Sequence, residues 1–177
     1  MTPEEKVIRG IEALLIRLKG INDRLSMTVP PGDLRLAIIG LPGNALHSYL
    51  LHFSMATYTV THKSWWKEAY GKDEPLPSDI QALRDLEAIT KHATFVFFLS
   101  RIEWSFRKLI TFLYPGACSH GGAAFKTIYD YLLNHLGLNR FIPLYDVCRH
   151  VRNSIHSNGV FVSRNGTDET VTHICII

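Results

Sequence analysis

The stretch IQALRDLEAITKHATFVFFLSRIEWSFRKLITFL, residues 80–113, decides the fold class of this chain. Its apolar side chains recur with little interruption at the spacing of an amphipathic helix. Ser78 or Asp79 supplies a capping side chain before the stretch, and the turn sequence Tyr114-Pro115-Gly116 ends it. We therefore predict one very long helix here, either straight or kinked.

The first residues of the chain predict another helix. Thr2 and Glu5 form a capping-box pattern, and Pro3 occupies the favoured first helical position. An apolar stripe with steps of four and three follows, made of Val7, Ile11, Leu14, Leu18, Ile21 and Leu25. Such a stripe is typical of a bundle helix packed on its own core, and a dimerisation seam is the alternative.

Proline and glycine predict two breaks between these helices. The sequences Val29-Pro30-Pro31-Gly32 and Leu41-Pro42-Gly43 bracket a short piece of one or two helical turns. Asn44 then caps a second long helix that ends near Tyr70-Gly71. The acidic, proline-containing residues 72–79 form a connecting loop to the long helix.

The remainder of the chain predicts two more helices and a hairpin. One helix runs from Ala123 to Leu136, and the other from residues 141–143 to about Ser157, before the stop signal Asn158-Gly159. Two β-prone runs around Asn165-Gly166 predict a small C-terminal β-hairpin. The fold class is therefore all-α, a bundle of about five helices in a single domain over residues 1–177.

Composition limits the cellular setting. The chain has 177 residues, of which 46% are hydrophobic and 20% charged, with a net charge of +3 and three cysteines. Sparse, odd-numbered cysteines favour a reducing compartment, and the acidic N-terminus lacks the layout of a signal peptide. The longest apolar run, residues 95–99, is too short to span a bilayer. We predict a cytoplasmic protein with no membrane partner.

Three Cys/His pairs offer ligands for zinc. They are Cys118 with His120, Cys148 with His150, and His173 with Cys175. On a helix, however, Cys148 and His150 point about 200° apart and cannot share a metal ion. The CxxC spacing of structural zinc sites, the phosphate-binding loop and the HExxH pair are missing from the sequence. We therefore predict neither a metal site nor a cofactor.

The segment CRHVRNSIHSNGVF, residues 148–161, carries the candidate chemistry. Helical offsets of three, four and seven place Arg149, Arg152 and His156 on one face, with Asn153 at its flank. The apolar residues 147, 151 and 155 fall on the other side and are expected to face the core. Basic residues in the last helical turns also complement the helix dipole, which is the alternative interpretation of this face.

Two guanidiniums beside an imidazole suit a phosphodiester substrate. Arginine stabilises negative charge on the non-bridging oxygens, and histidine transfers protons near neutral pH. If the substrate is RNA, its 2′-hydroxyl is an internal nucleophile and the reaction needs no metal ion.

The segment VRNSIHSNGVF, residues 151–161, closing an all-α chain, resembles the HEPN domains (higher eukaryotes and prokaryotes nucleotide-binding). Their signature is an arginine, usually followed by a polar residue, and then a histidine after four to six intervening residues. In this chain three residues separate Arg152 from His156, and six separate Arg149 from it. The upstream FFLSRIEWSFRKL, residues 97–109, resembles the family helix that carries an inward acidic residue, here Glu103. The resemblance covers about residues 78–162, and residues 1–70 are expected to form N-terminal helices that pack on it.

The resemblance implies a metal-independent endoribonuclease that cleaves single-stranded or looped RNA, often within a toxin–antitoxin or antiviral defence system. His156 would transfer the proton, Arg152 would clamp the phosphate, and Asn153 would orient one of these groups. Glu103 would hold an arginine in place, with a plain surface pair to Arg107 as its alternative role. Family members commonly act as homodimers, and an antitoxin or other protein partner is implied too.

Two other functions compete with this one. A catalytically silent HEPN-like module would bind RNA, a nucleotide or a protein through Arg149 and Arg152 without cleaving. A purely structural helical protein would use the basic C-terminal helix only as a dipole-matched surface.

Overall fold

The computed structural model describes residues 3–156, apart from the side chains of residues 3, 4, 60, 61 and 156. Two short 3₁₀ turns, Ala117–Ser119 and Asn139–Phe141, accompany six α-helices. The helices are α1 (Pro3–Ser26), α2 (Leu34–Thr61), α3 (Lys63–Tyr70), α4 (Pro77–Leu113), α5 (Phe125–His135) and α6 (Ile142–His156). Over residues 3–156 no strand occurs, and the prediction of an all-α bundle is confirmed. The predicted C-terminal hairpin lies outside the described residues.

The long helix α4 runs unbroken over 37 residues and ends at Leu113, as the sequence predicts. Its start differs from the prediction, since the helix begins at Pro77 and neither Ser78 nor Asp79 is the capping residue. Asp79 instead lies in the first turn, where its carboxylate accepts the backbone N–H of Leu76 at 2.8 Å. The Asp79 carboxylate thus pairs with the Leu76 N–H, which has no hydrogen-bond acceptor within the helix.

The predicted break at Pro42 is wrong, because α2 continues from Leu34 through Pro42 to Thr61, and Asn44 lies inside the helix. Proline has no N–H to donate to the carbonyl one turn earlier, which here belongs to Ile38. The buried hydroxyl of Ser105, on α4, donates to this carbonyl oxygen at 3.2 Å. A hydrogen bond from the neighbouring helix thus takes the place of the missing one.

We expect Ser105→Ala to lower the free energy of unfolding by about 1 kcal/mol, because the Ile38 carbonyl would lose this donor. In a Pro42→Ala background the new Ala N–H can donate to Ile38, so the same Ser105→Ala change should cost less than half as much. Urea unfolding of the four proteins in this double-mutant cycle measures the difference. Equal costs in both backgrounds would contradict the compensation.

The second predicted helix is also divided at its C-terminal end. α2 ends at Thr61, and His62 adopts an extended backbone (φ −96°, ψ 101°) before α3 begins. The sequence Thr59-Val60-Thr61 precedes the break, and β-branched residues have low helix propensity. The predicted stop at Gly71 is confirmed as the end of α3, where Gly71 has φ 67° and donates its N–H to the carbonyl of Lys67.

The N-terminal helices form a layer in which α1 packs on α2 and α2 packs on α4. Of the predicted apolar stripe on α1, Ile11, Leu18 and Leu25 are partly buried. The other three stripe residues remain 39–50% exposed, namely Val7, Leu14 and Ile21. The bundle interpretation of α1 is therefore confirmed for half of the stripe.

The best-packed core lies between the C-terminal half of α4 and α5, with α6 against it. It is built from Ile110, Phe125, Ile128, Tyr129, Leu132 and Leu133. The predicted helix over residues 123–136 is confirmed within two residues at its start, and Gly137, with φ 67°, follows its end. Within residues 3–156 no helix combines the length and apolar character that crossing a bilayer would require.

Candidate functional site

The helix α6 is anchored on α4 and α5 through its aromatic and apolar side chains. The Tyr145 ring lies 5.2 Å from that of Phe106 on α4 and 5.6 Å from that of Tyr129 on α5. Val151 is buried, as predicted, but Val147 is 48% exposed and lines a cavity together with Ile155. The expectation that all three aliphatic residues face the core is therefore wrong for Val147.

A carboxylate on α4 holds the central arginine of α6. Arg152 Nη1 lies 2.5 Å from Glu103 Oε2, joining residues far apart in sequence. Both side chains are largely buried, with 24% and 18% of their surface exposed. Charge-assisted hydrogen bonds of this length fix the direction of a guanidinium. Arg152 is thus oriented by α4 rather than extended into solvent.

Glu103 binds a second arginine on its own helix. Arg107 Nη2 lies 2.5 Å from Glu103 Oε1, and Arg107 Nε lies 3.1 Å from the same oxygen. Arg107 Nη1 also donates to the carbonyl oxygens of Gly121 and Ala123, at 2.6 and 2.8 Å. Arg107 therefore ties the loop before α5 to α4, which indicates a structural role. The expected pair of Glu103 with Arg107 is present, but Glu103 also binds Arg152.

The cluster of Glu103, Arg107 and Arg152 favours the ionised form of Glu103 and carries a net positive charge. Burial raises the pKa of Glu103, whereas the hydrogen bonds and positive charges of Arg107 and Arg152 lower it. The lowering outweighs the effect of burial, so the pKa of Glu103 lies below its ordinary value. One carboxylate meets two guanidiniums, so these three side chains together carry a charge of +1. Such a cluster attracts anions.

The other arginine of α6 belongs to a separate network at the α5 contact. Arg149 Nη2 lies 3.9 Å from Asp146 Oδ1 and 3.1 Å from His150 Nε2. Asp146 in turn accepts the Tyr129 hydroxyl at 2.5 Å and Lys126 Nζ at 3.1 Å. Burial, followed by the hydrogen bond to Asp146, raises the pKa of Tyr129 to about 12. Tyr129 is therefore a neutral donor at physiological pH.

The structure brings together some of the residues that the sequence singled out. Glu103 and Arg152 are in contact, and Arg149 lies one turn before Arg152 on α6. Asn153 is partly buried beside Arg152. His156 is the last residue of α6, one turn after Arg152 on the helix, and its side chain lies outside the described part of the structure.

Both arginines of α6 keep hydrogen-bonding capacity. The buried Nε atoms of Arg149 and Arg152 have no hydrogen-bond partner among the described residues. A buried donor without an acceptor is unfavourable, and an external acceptor could reach these two atoms only if the side chains moved.

Sequence reasoning missed the residues that position Arg149. Asp146 stands three residues before Arg149, a helical spacing that could have revealed the pair. Tyr129 and Lys126 lie on another helix, and no local pattern connects them with Asp146. Within residues 3–156 no group of three His, Cys, Asp or Glu side chains could hold a metal ion.

Comparison with known proteins adds no function to this geometry. No protein-family model matches the sequence, and neither a curated protein nor a solved structure matches the chain. Its chemistry has to be inferred from the site itself.

Proposed function

We propose that this chain is a HEPN-like, metal-independent endoribonuclease that cleaves single-stranded or looped RNA. The observation that carries the proposal is the contact between Arg152 and Glu103, which fixes a guanidinium one turn before His156. A fixed guanidinium is what a phosphate clamp requires, because it needs no reorientation as charge develops in the transition state.

The reaction follows from the chemistry of RNA. The 2′-hydroxyl oxygen attacks the adjacent phosphorus and the bond from phosphorus to the 5′-oxygen breaks. The products are a 2′,3′-cyclic phosphate and a 5′-hydroxyl. His156 takes the proton from the 2′-hydroxyl or delivers one to the leaving oxygen. Arg152 stabilises the non-bridging oxygens, Asn153 orients the phosphate or the imidazole, and Arg149 binds a neighbouring phosphate.

We also propose an assembly and a cellular setting for this activity. A homodimer would bring two such helices to one cleft, with two arginine and two histidine side chains on the same RNA. The positive charge left on the cluster of Glu103, Arg107 and Arg152 supports a polyanionic substrate. A cytoplasmic toxin–antitoxin or antiviral defence system, with an antitoxin or other protein partner, is the context we propose.

The test is to incubate the purified protein with a defined stem-loop RNA in EDTA and to analyse the product ends. We expect cleavage in the loop that resists the chelator and leaves 2′,3′-cyclic phosphate and 5′-hydroxyl ends. Products with 5′-phosphate ends, or cleavage that disappears with EDTA, would contradict a metal-independent mechanism.

A catalytically silent RNA-binding module is the second candidate. The observation in its favour is that Arg152 and Arg149 are already paired with Glu103 and Asp146, which positions them to bind but lowers their free charge. Such a module would retard the same RNA on a gel without cutting it. Retardation lost on Arg152→Ala, with no cleavage by the parent protein, would favour this function.

A further inference from the structure

A large cavity lies behind the arginine-bearing face of α6. It has a volume of about 640 Å³ and is lined by residues of α1, α2, α4 and α6. Small-molecule sites in proteins typically measure 300–1,000 Å³ and are lined mainly by apolar side chains. The cavity is therefore large enough for an organic ligand, and nothing in the proposed cleavage reaction uses it.

Most of the cavity wall is apolar. Aliphatic side chains come from α1 and α6, and aromatic ones from α2 and α4, among them Ile8, Ile11, Phe53, Phe95, Phe98 and Val151. Val7 and Val147, which are half exposed, lie at its rim and line it too. Covering exposed apolar surface of this kind with an apolar group is energetically favourable.

One stretch of the wall is charged. Over the turns of α4 before Phe95, the cavity is lined by Arg84, Glu87, Lys91 and His92. Glu87 forms an ion pair with Lys91 at 2.8 Å, which neutralises one cation. Among the described side chains no carboxylate forms an ion pair with Arg84, so the described charged side chains that line this end of the cavity carry a net positive charge.

We propose that the cavity binds a long-chain carboxylate, with its acyl chain among the aromatic and aliphatic side chains and its carboxylate at Arg84. Burial of the methylene groups of such a ligand is favourable, and the guanidinium matches the carboxylate geometry. A neutral lipid would leave the cation without a partner, and a short-chain acid would leave the apolar wall uncovered. Both halves of the site therefore point to an anionic amphiphile.

Isothermal titration of the full chain with dodecanoate, dodecanol and acetate tests this site. We expect dodecanoate to bind with a dissociation constant in the micromolar range, dodecanol about tenfold more weakly, and acetate not at all. No binding of dodecanoate would overturn the proposal. Equal binding of dodecanoate and dodecanol would overturn the role of Arg84.

Three variants complete the experiment. Ala88→Trp, which places an indole at the cavity wall, should abolish binding of both long-chain ligands. Arg84→Ala should weaken dodecanoate about tenfold and leave dodecanol unchanged. Arg101→Ala is the matched control, because Arg101 lies on α4 outside the cavity lining, 4.5 Å from the Phe97 ring. Equal loss in Arg84→Ala and Arg101→Ala would contradict the proposal.

This site stands apart from the proposed ribonuclease activity. None of the residues changed in the three variants belongs to the cluster of Arg152 and Glu103. Failure of dodecanoate binding would leave the RNA assay untouched, and failure of RNA cleavage would leave the titration untouched.

Discussion

His156→Ala should reduce RNA cleavage about 100- to 10,000-fold, the usual contribution of a general acid or base. His156 ends α6 one helical turn after Arg152, whose guanidinium is fixed by Glu103. Removal of the imidazole takes away the proton transfer but leaves the phosphate clamp. RNA binding by the variant should therefore stay within about twofold of the wild type, and the loss should appear in the rate constant for cleavage.

The matched control for this prediction is His47→Ala. His47 is an exposed residue of α2, far in sequence from the candidate site, and its removal should leave cleavage unchanged. Circular dichroism and thermal unfolding establish that both variants keep their fold. Cleavage by His156→Ala at the wild-type rate would show that another group transfers the proton, or that the activity belongs to a contaminant.

Glu103→Ala should have the largest effect on stability, lowering the free energy of unfolding by about 2 kcal/mol. Removing one partner of a buried ion pair leaves the other charge uncompensated, which costs about 3–5 kcal/mol in fully buried cases. The exposed fractions of Glu103 and Arg152, 18% and 24%, reduce that figure. Two guanidiniums lose their carboxylate partner at once, although Arg107 keeps its hydrogen bonds to the carbonyl oxygens of Gly121 and Ala123. Arg152 should also lose its orientation, and RNA cleavage should fall.

Glu87→Ala serves as the reference for an ordinary helical ion pair. Glu87 pairs with Lys91 at the i,i+4 spacing on the same helix, and such pairs contribute about 0.3–0.5 kcal/mol. Urea unfolding of both variants gives the comparison directly. Equal losses for Glu103→Ala and Glu87→Ala would mean that Glu103 is only a surface pair with Arg107.

Acid conditions should weaken the contacts of Glu103 with Arg152 and Arg107. The pKa of Glu103 in the folded chain lies below its ordinary value, so its stabilising contribution is present above the pKa of the unfolded chain. That contribution is lost as the pH falls through the lower, folded-state pKa. Between about pH 5 and pH 3 the wild type should lose stability more steeply than Glu103→Gln. Parallel urea midpoints for the two proteins over this range would contradict the prediction.

Local patterns predicted α4 well but not α2. The apolar periodicity over residues 80–113 predicted α4 and its end at Leu113, because side-chain spacing and turn residues are local properties. The pair of Glu103 with Arg107 follows from their helical spacing, whereas a role for Glu103 in holding an arginine of the site was expected only from the family resemblance. The contact with Arg152 is present in the structure, while its catalytic use stays a prediction.

Features that depend on distant residues could not be predicted. Nothing near Pro42 signals that the helix continues, since the compensating hydroxyl belongs to Ser105 on another helix. The Tyr129 contact with Asp146 likewise depends on how α5 and α6 pack. The cavity arises from four helices whose apolar faces do not fill the space between them. Sequence periodicity identifies such faces but does not measure how well they fit.

The hydrogen bond from Ser105 to the Ile38 carbonyl affects how α2 is positioned along α4. A second link, between Thr90 Oγ1 on α4 and His52 Nε2 on α2 at 3.1 Å, shows that the two helices run in opposite directions. The carbonyl that Pro42 leaves unpaired therefore sets the axial register of α2 along α4. A slip by one turn would carry Ile38 away from Ser105 and leave a polar atom buried without a donor. Pro42 thus helps to fix the axial position of α2 along α4.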